Sequence, residues 1–455
     1  MDRLPREILA EVLEFLAGPA PSERRLHEQP SDDLLESDVV DLKSASRTNK
    51  LWRALALPIL FRNVLWRPRL SSLSPSDGLH PAPLLRFLLD RGLKRQVLTF
   101  TLLVDFADQQ IEPSRVAYQI HPSDLETLWD QLFAVIDPLR FTIIAPPATL
   151  AALLSRMLFL DDAWSFNIPY HILSLARSHR DPPSDREDDA APDLLSSSFS
   201  SSSHHHPPPE TAAAGASRPR HYFKGAMPAP PCPFLTLRPW TSLLLNEGSS
   251  IRAYSTYEFF LRSPPSMLSA LLGTGEYPNN TPLLPATVID FNYIAIFPLS
   301  THVSVLLHSL PKVDRFFVRF TPRPNNRILE DRRALQHVDM ADLWMERTSA
   351  FRHLLDKIFR PEVTTTAGSG SNWDTLNVLE IGEAEDKEVW GLADAYVSES
   401  SGWRAECEGV LVRVDEEGNP KVPGGVAVPH HLPARDDPLN GVFAISPNYY
   451  FQPVW

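Results

Sequence analysis

Cysteine is almost missing from this chain: Cys232 and Cys407 are the only two in 455 residues. They stand far apart and outside any CxxC pair. That excludes a disulfide framework and a thiolate-rich metal site, and points to a reducing compartment, cytoplasm or nucleus. Long apolar runs are missing too. No uncharged apolar stretch of about 18–20 residues offers a membrane span. Glu7, Glu11 and Glu14 interrupt the first helical stretch where a secretory signal needs an apolar centre. Asn279-Asn280-Thr281 fits the glycosylation pattern, which carries no meaning off the secretory route. Positive charge is in deficit: 43 Lys and Arg stand against 56 Asp and Glu, a net charge of −13. Neither a nucleic acid nor an anionic membrane is the expected partner of such a chain.

Catalytic signatures are equally scarce. No HExxH, GxSxG or strand-to-helix GxGxxG occurs. Gly368-Ser369-Gly370-Ser371 is glycine-rich but has no P-loop lysine. His204-His205-His206 offers imidazoles inside a low-complexity run, without a Cys or acidic companion at fixed spacing. Cys407, His430, His431 and Asp436 supply nucleophile, base and orienter types, but nothing in the sequence brings them together. No metal or cofactor is expected, and the chain reads as non-catalytic. The alternative is an unrecognised active site on an α/β body, marked by a deep polar pocket with perturbed carboxylates or histidines.

What is present is an ordinary globular balance, 43% hydrophobic and 22% charged. The length suits two or three domains, or one small module plus an extended array. Leu4, Ile8, Leu9, Val12, Leu13 and Leu16 recur at helical spacing. Residues 4–16 therefore read as an amphipathic helix, with Pro5 in the first turn and Gly18-Pro19 as the stop. Residues 19–38, polar, acidic and proline-bearing, read as a loop. A second helix starts near Asp38 or Asp41 and runs toward Asn49. A third carries Leu51, Trp52, Leu55 and Ala56 to Pro58, and Phe61–Trp66 is strand-like.

From there β-rich and helical runs alternate. β-Like stretches fall at 96–106, 139–144, 164–168, 250–260, 288–296, 314–320 and 376–381. Helical stretches follow them at 123–136, 148–160, 170–178, 266–272, 301–310, 340–359 and 387–399. The interval between strands varies from roughly 25 to 60 residues, against the 20–29 of regular leucine-rich repeats. Leu310–Val318 and Leu376–Ile381 look like the helix-to-strand turns of such repeats. The expected fold class is α/β: an N-terminal three-helix module, then a degenerate leucine-rich-repeat-like strand–helix solenoid with disordered insertions. A compact α/β domain predicts the same alternation. The expected boundaries are 1–64 for the helical module, with a loop insertion at 19–38, and 65–177 for the first part of the array. Residues 178–233, rich in Ser, His and Pro, read as a disordered insertion. Residues 234–455 form the second part of the array and a C-terminal tail. Thr364–Ser371 and Glu416–Gly425 read as smaller loops of the same kind, and the aromatic Pro447–Trp455 as a segment that packs back onto the array.

Two pieces of the first 64 residues complete each other. Leu4-Pro5-Arg6-Glu7-Ile8-Leu9 comes first, with Val12, Leu13 and Leu16. Asp41-Leu42-Lys43-Ser44-Ala45-Ser46-Arg47 follows, then Leu51-Trp52 and Leu57-Pro58-Ile59-Leu60-Phe61-Arg62-Asn63-Val64. Together they resemble an F-box, with the P-x-L-F-R-x-V ending familiar from fungal F-box proteins. The resemblance implies docking on a Skp-family adaptor and, through it, on a cullin scaffold. It makes the chain the substrate-recognition subunit of a Skp–cullin–F-box ubiquitin ligase, with an unknown protein substrate held by the array. The adaptor-binding residues it implies are Leu4, Pro5, Ile8, Leu9, Val12, Leu13, Leu16, Leu42, Trp52, Leu55, Pro58, Leu60 and Phe61. Two departures stand out. Residues 17–40 separate the first helix from Asp41-Leu42, where the family usually has a handful, and Ala45 and Ser46 are smaller than usual. The extra segment is expected to loop out, at an entropic cost that grows only logarithmically with length. The alternatives are a helical cap on the array, and a repeat-like scaffold that binds partners without ubiquitin transfer.

Trp129, Trp164, Trp240, Trp344, Trp373, Trp390 and Trp403 read as core rather than as ligand platforms. Arg315 and Arg319 alternate with Phe316, Val318 and Phe320 on a predicted strand. One face is then buried, and the other presents both arginines to solvent or to an acidic ligand.

Overall fold

The computed structural model describes residues 5–17, 22, 25–31, 34, 39–68, 79–104, 120, 122–158, 160–180, 232–323, 326–333, 335–360, 372–383, 386–400 and 402–421. Leu4, the triplet His204–His206, the loop 364–371, His430, His431, Asp436 and the aromatic tail lie outside them.

Three helices come first: α1 (Arg6–Ala17), α2 (Val40–Ala45) and α3 (Lys50–Leu60). Asn49 opens α3 by accepting a 2.9 Å hydrogen bond from the Trp52 N–H, which satisfies one of the donors every helix leaves unpaired at its start. The chain then enters a mixed α/β body built on one ten-stranded sheet. Its strands are β1 (Asn63–Trp66), β2 (Thr99–Leu103), β3 (Arg140–Ala145), β4 (His171–Ala176), β5 (Ser242–Ser249), β6 (Asp290–Ile296) and β7 (Arg315–Arg319). β8 (Val378–Ile381), β9 (Trp403–Cys407) and β10 (Val410–Arg413) complete it. Strands β1 to β8 are neighbours in chain order, and the sheet ends β8-β10-β9. Pairing is parallel except that β4 runs antiparallel to β3 and β5, and β10 antiparallel to β8 and β9.

The helices around the sheet are α4 (Ala82–Asp90), α5 (Pro122–Val135), α6 (Pro147–Leu153), α7 (Leu268–Leu272), α8 (Ser300–Ser309), α9 (Met340–Phe359) and α10 (Lys387–Glu399). Asp339 and Asp386 cap α9 and α10, each accepting from two backbone N–H groups of the first turn. One in-register row runs from edge strand β1 to β10, next to the other edge: Val64, Phe100, Phe141, Leu175, Leu243, Phe291, Phe316, Leu379 and Leu411. Every member is buried, in the same apolar cluster as the inward residues of α4 to α10. Because strand side chains alternate between faces, the next row lies on the second face. It reads Thr101, Thr142, Ser174, Leu244, Asn292, Phe317 and Glu380. One side of the sheet is thus a continuous apolar floor, and the other mixes polar and apolar positions.

Three expected elements are corrected. Residues 170–178, expected as a helix, contain strand β4, and residues 164–168, expected as a strand, contain a 3-10 turn at Ala163–Ser165. The strand expected at 250–260 lies earlier, at β5, and Ile251–Ser255 is a 3-10 turn. Both β4 and β5 are buried at every position, so neither shows the alternation that marks a half-exposed strand. Helix α4 and the β9–β10 hairpin were not expected. The ends of the expected disordered insertion are structured: Arg180 donates to the Arg95 and Val97 carbonyls at 2.6 Å, and Cys232 is buried ahead of a 3-10 turn that opens at Pro233. At the expected 416–425 loop, Asp415 organises a turn through the Glu417 and Asn419 N–H groups. Trp129, Trp240, Trp373 and Trp403 are core, Trp344 and Trp390 are half-buried, and Trp164 is exposed under the Arg262 guanidinium. No described helix is long and apolar enough to cross a membrane.

Candidate partner-binding surface

The N-terminal helices carry two apolar stripes where a freestanding helix bundle needs one. Leu13, Leu42, Ala56 and Ile59 form their buried centre, flanked by the half-buried Leu16, Trp52, Leu55 and Leu60. On α1, Leu9, Leu13 and Leu16 follow i, i+4, i+7 spacing and face inward. Ile8, Val12 and Phe15 follow the same spacing one residue earlier, about 100° around the helix. This second stripe is exposed: Ile8 by 42%, Val12 by 44% and Phe15 by 85%. Val40, at the start of α2, adds a further exposed apolar side chain, at 63%. Contiguous exposed apolar surface of this kind marks interaction sites.

The residues expected to bind an adaptor therefore divide. Pro5, Ile8 and Val12 are exposed, whereas Leu9, Leu13 and Leu42 are buried, the last two in the centre of the module. Leu16, Trp52, Leu55, Pro58 and Leu60 are half-buried. Phe61 turns away: its ring lies 5.1 Å from Phe87 on α4 and joins the main core. Leu4 is outside the described residues. Phe15 and Val40, on the outside, and Ala56 and Ile59, on the inside, were not among the expected adaptor-binding residues. Phe15 was legible as the i+7 partner of Ile8. A bidentate ion pair, Glu14 to Arg62 at 2.5 and 2.7 Å, ties α1 to the corner before β1.

The insertion at 19–38 does not simply loop out. Its described residues lie on the second face of the sheet. Leu26 and Leu34 are buried among Leu103, Ile144, Ile172, Leu244 and Ile294. Ser22 donates to Thr99 on β2 at 3.4 Å, and Asn246 on β5 donates to two carbonyls of the segment. A groove of about 850 Å³ adjoins it, lined mainly by polar side chains that include Gln29, Asn167, Ser249, Arg252, Asp331 and His337.

Arg315 and Arg319 do share this face, as the alternation predicts, but neither stands open. Arg315 pairs with Glu380, and Arg319, 5% exposed, donates to the Gly382 carbonyl at 2.5 Å. A Cβ at position 382 would come within 2.6 Å of the Arg319 Nε and 2.8 Å of the Phe317 ring, so a larger residue there would displace one of these side chains. Glu383 accepts from the Phe320 and Thr321 N–H groups, and burial lifts its pKa to about 7 against the pull of nearby Arg319.

One buried polar cluster has the residue types of catalysis. Glu247 accepts from Ser266 Oγ, from the Met267 and Leu268 N–H groups at 2.7 and 3.2 Å, and from Tyr293 Oη at 2.9 Å. Its other neighbour is His302 Nε2, at 3.1 Å. Burial pushes the Glu247 pKa up, but His302, His171 and Ser266 outweigh it and bring it down to about 2. The carboxylate has donors on both oxygens and anchors the start of α7, so the cluster has a structural use. His171 is fully buried with no hydrogen-bond partner on either ring nitrogen, and burial pulls its pKa down to about 4. Cys232 and Cys407 form no disulfide, and burial raises both thiols. Asn279 of the glycosylation-like triplet is 6% exposed and bonds the Met157 backbone in both directions. Among the described residues no cluster of three or more His, Cys, Asp and Glu could hold a metal ion.

No family model, curated protein or solved structure matches this chain.

Proposed function

We propose that the chain is the substrate-recognition subunit of a Skp–cullin–F-box ubiquitin ligase, working in the cytoplasm or nucleus. The N-terminal helices are the F-box, and the sheet with its helices is a leucine-rich-repeat-like solenoid that presents a target protein. The observation that carries this reading is the second apolar stripe of α1. A helix that is apolar on two adjacent faces needs two partners, and its own module covers only one. Strands laid side by side in chain order support the solenoid half of the reading.

The chain itself then performs no bond chemistry. It raises the effective concentration of a target lysine near a ubiquitin-loaded enzyme held elsewhere in the complex. The test is co-purification of the intact chain with a Skp-family adaptor and a cullin. Ile8→Asp with Phe15→Asp changes only exposed positions, so the melting temperature stays within a few degrees while adaptor capture is lost. Undiminished capture by the folded double variant sinks the docking claim. Adaptor without cullin in the purified complex favours the non-ubiquitin scaffold instead.

A further inference from the structure

One stretch of the N-terminal segment sits on the sheet as a bound peptide sits on its receptor. Residues 25–28 form a turn closed by the Glu28 N–H donating to the Arg25 carbonyl at 2.9 Å. Asn246 Nδ2 donates to the Leu26 carbonyl at 2.8 Å and to the Glu28 carbonyl at 2.7 Å. Both acceptors are backbone atoms, so this contact reads the shape of the chain and not the identity of its side chains. Asn246 is fully buried, and its Oδ1 accepts from the Gly248 N–H at 3.1 Å, so the donor pair has a fixed direction. Identity is read beside it. Leu26, 2% exposed, enters the apolar cluster over β3 to β6, and the His27 ring lies 4.8 Å from that of Phe317.

The surroundings of the turn are cationic. Arg140, Arg319 and Arg323 act on His27, and Glu28 acts on Arg323. The face's own acids are engaged within the chain, Asp290 by the Asn292 amide at 3.1 Å, Glu380 by Arg315 and Glu383 by the Phe320 and Thr321 amides. Past the turn, the groove continues from Gln29 toward Arg252 and His337. Among the described residues, the groove extends beyond the turn that lies on the face.

We propose that this face is a peptide-binding site for an acidic, turn-forming, leucine-bearing segment of a partner protein, and that residues 25–30 are the chain's own occupant of it. The inference names the class of target the receptor takes, and rests on the ubiquitin-ligase reading only in calling that partner a target. A tethered occupant competes at a high effective concentration, so an incoming peptide must outbind it. Because the occupant joins α1 to α2, its displacement also loosens the tether between the helical module and the sheet.

The test uses the full chain without adaptor and a fluorescein-labelled synthetic peptide of residues 22–34, read by fluorescence anisotropy. Two variants open the face: replacement of 22–34 by a Gly-Ser linker of equal length, and Leu26→Asp. Circular dichroism and thermal melting establish that each is folded. Each folded variant is expected to bind the peptide at least about ten-fold more tightly than wild type, since the intramolecular competitor is gone. Adding Asn246→Leu is expected to abolish that gain. On the wild-type chain, which needs no variant to fold, millimolar unlabelled peptide is expected to speed hydrogen exchange at the Glu28 amide. A folded open-face variant no better than wild type overturns the proposal, as does binding that survives Asn246→Leu, or an unchanged Glu28 amide. Peptide binding lost with adaptor capture intact removes this inference alone, and the reverse removes the docking reading alone.

Discussion

The helical module and the sheet hold themselves together on very different scales. Four buried apolar side chains, Leu13, Leu42, Ala56 and Ile59, make the centre of the module. The sheet sets a buried row through all its strands from β1 to β8 and on to β10, and covers it with seven helices. Small units bury a smaller share of their surface than large ones, and are correspondingly marginal. The module nevertheless leaves Ile8, Val12 and Phe15 outside. Its stability therefore leans on neighbours: on the sheet, through Phe61 against Phe87 and Glu14 against Arg62, and, in the proposed function, on an adaptor. The sheet body owes nothing to a partner on its helix-covered side. Its second face takes up the described residues of the 19–38 segment and, in the proposal above, a partner peptide.

The largest expected effect breaks the sheet. Phe141 lies 5.0 Å from the Phe100 ring and 5.1 Å from that of Phe234. Phe141→Ala is expected to cost about 3–5 kcal/mol, the range for deleting a buried aromatic, with a fall in the denaturant midpoint of the whole body. A change below 1 kcal/mol would mean that the row is not the core.

The next effect comes from acid. His171 is kept neutral in the fold, with its pKa pulled from 6.5 to about 4. The sign follows from linkage: the stability tied to the neutral ring is fully present above pH 6.5 and is lost as pH falls toward 4. The loss is about 3 kcal/mol across that window and stops growing below it. His171→Leu is expected to remove this contribution, making the fall in stability between pH 6.5 and 4 smaller than in wild type by about that amount, measured by urea melts. A slope unchanged in that variant assigns the acid sensitivity elsewhere.

The smallest effect sharpens the comparison from the other side. Asn49→Ala removes the α3 cap, which costs about 1 kcal/mol. Because the module is thinly cored, hydrogen exchange is expected to rise through 40–60 while the amides of β3 and β6 keep their protection. Equal loosening of the sheet would show that the two regions unfold as one.

How much could be read in advance follows from burial geometry. Helices α9 and α10 were legible to the residue, because each is polar on one side and opens at a capping Asp. Strands β6, β7 and β8 were legible within a few residues. Strands β4 and β5 were not, since the six residues of β4 are buried throughout and carry no period. On α1 the large apolar residues other than Phe15 were identified as interface, yet the sequence alone does not say which of two adjacent stripes turns inward. That depends on where α3 lies. The occupant of the second face was out of reach for another reason. The contacts of Leu26 and Glu28 with Asn246 span 220 and 218 residues of chain, and local pattern carries no information at that separation.

The amino-acid pattern by itself determined the composition limits, the α/β alternation and the helical spacing of the apolar residues of the first helix. These depend on side-chain chemistry and on periods set by a few consecutive residues. Tertiary structure alone decided the chain-order sheet with its reversed β4, the division of the α1 residues into core and surface, and the fate of the 19–38 insertion. Each of those depends on which distant segment arrives to bury an apolar group or to pair a polar one, and that competition is settled only when the whole chain packs.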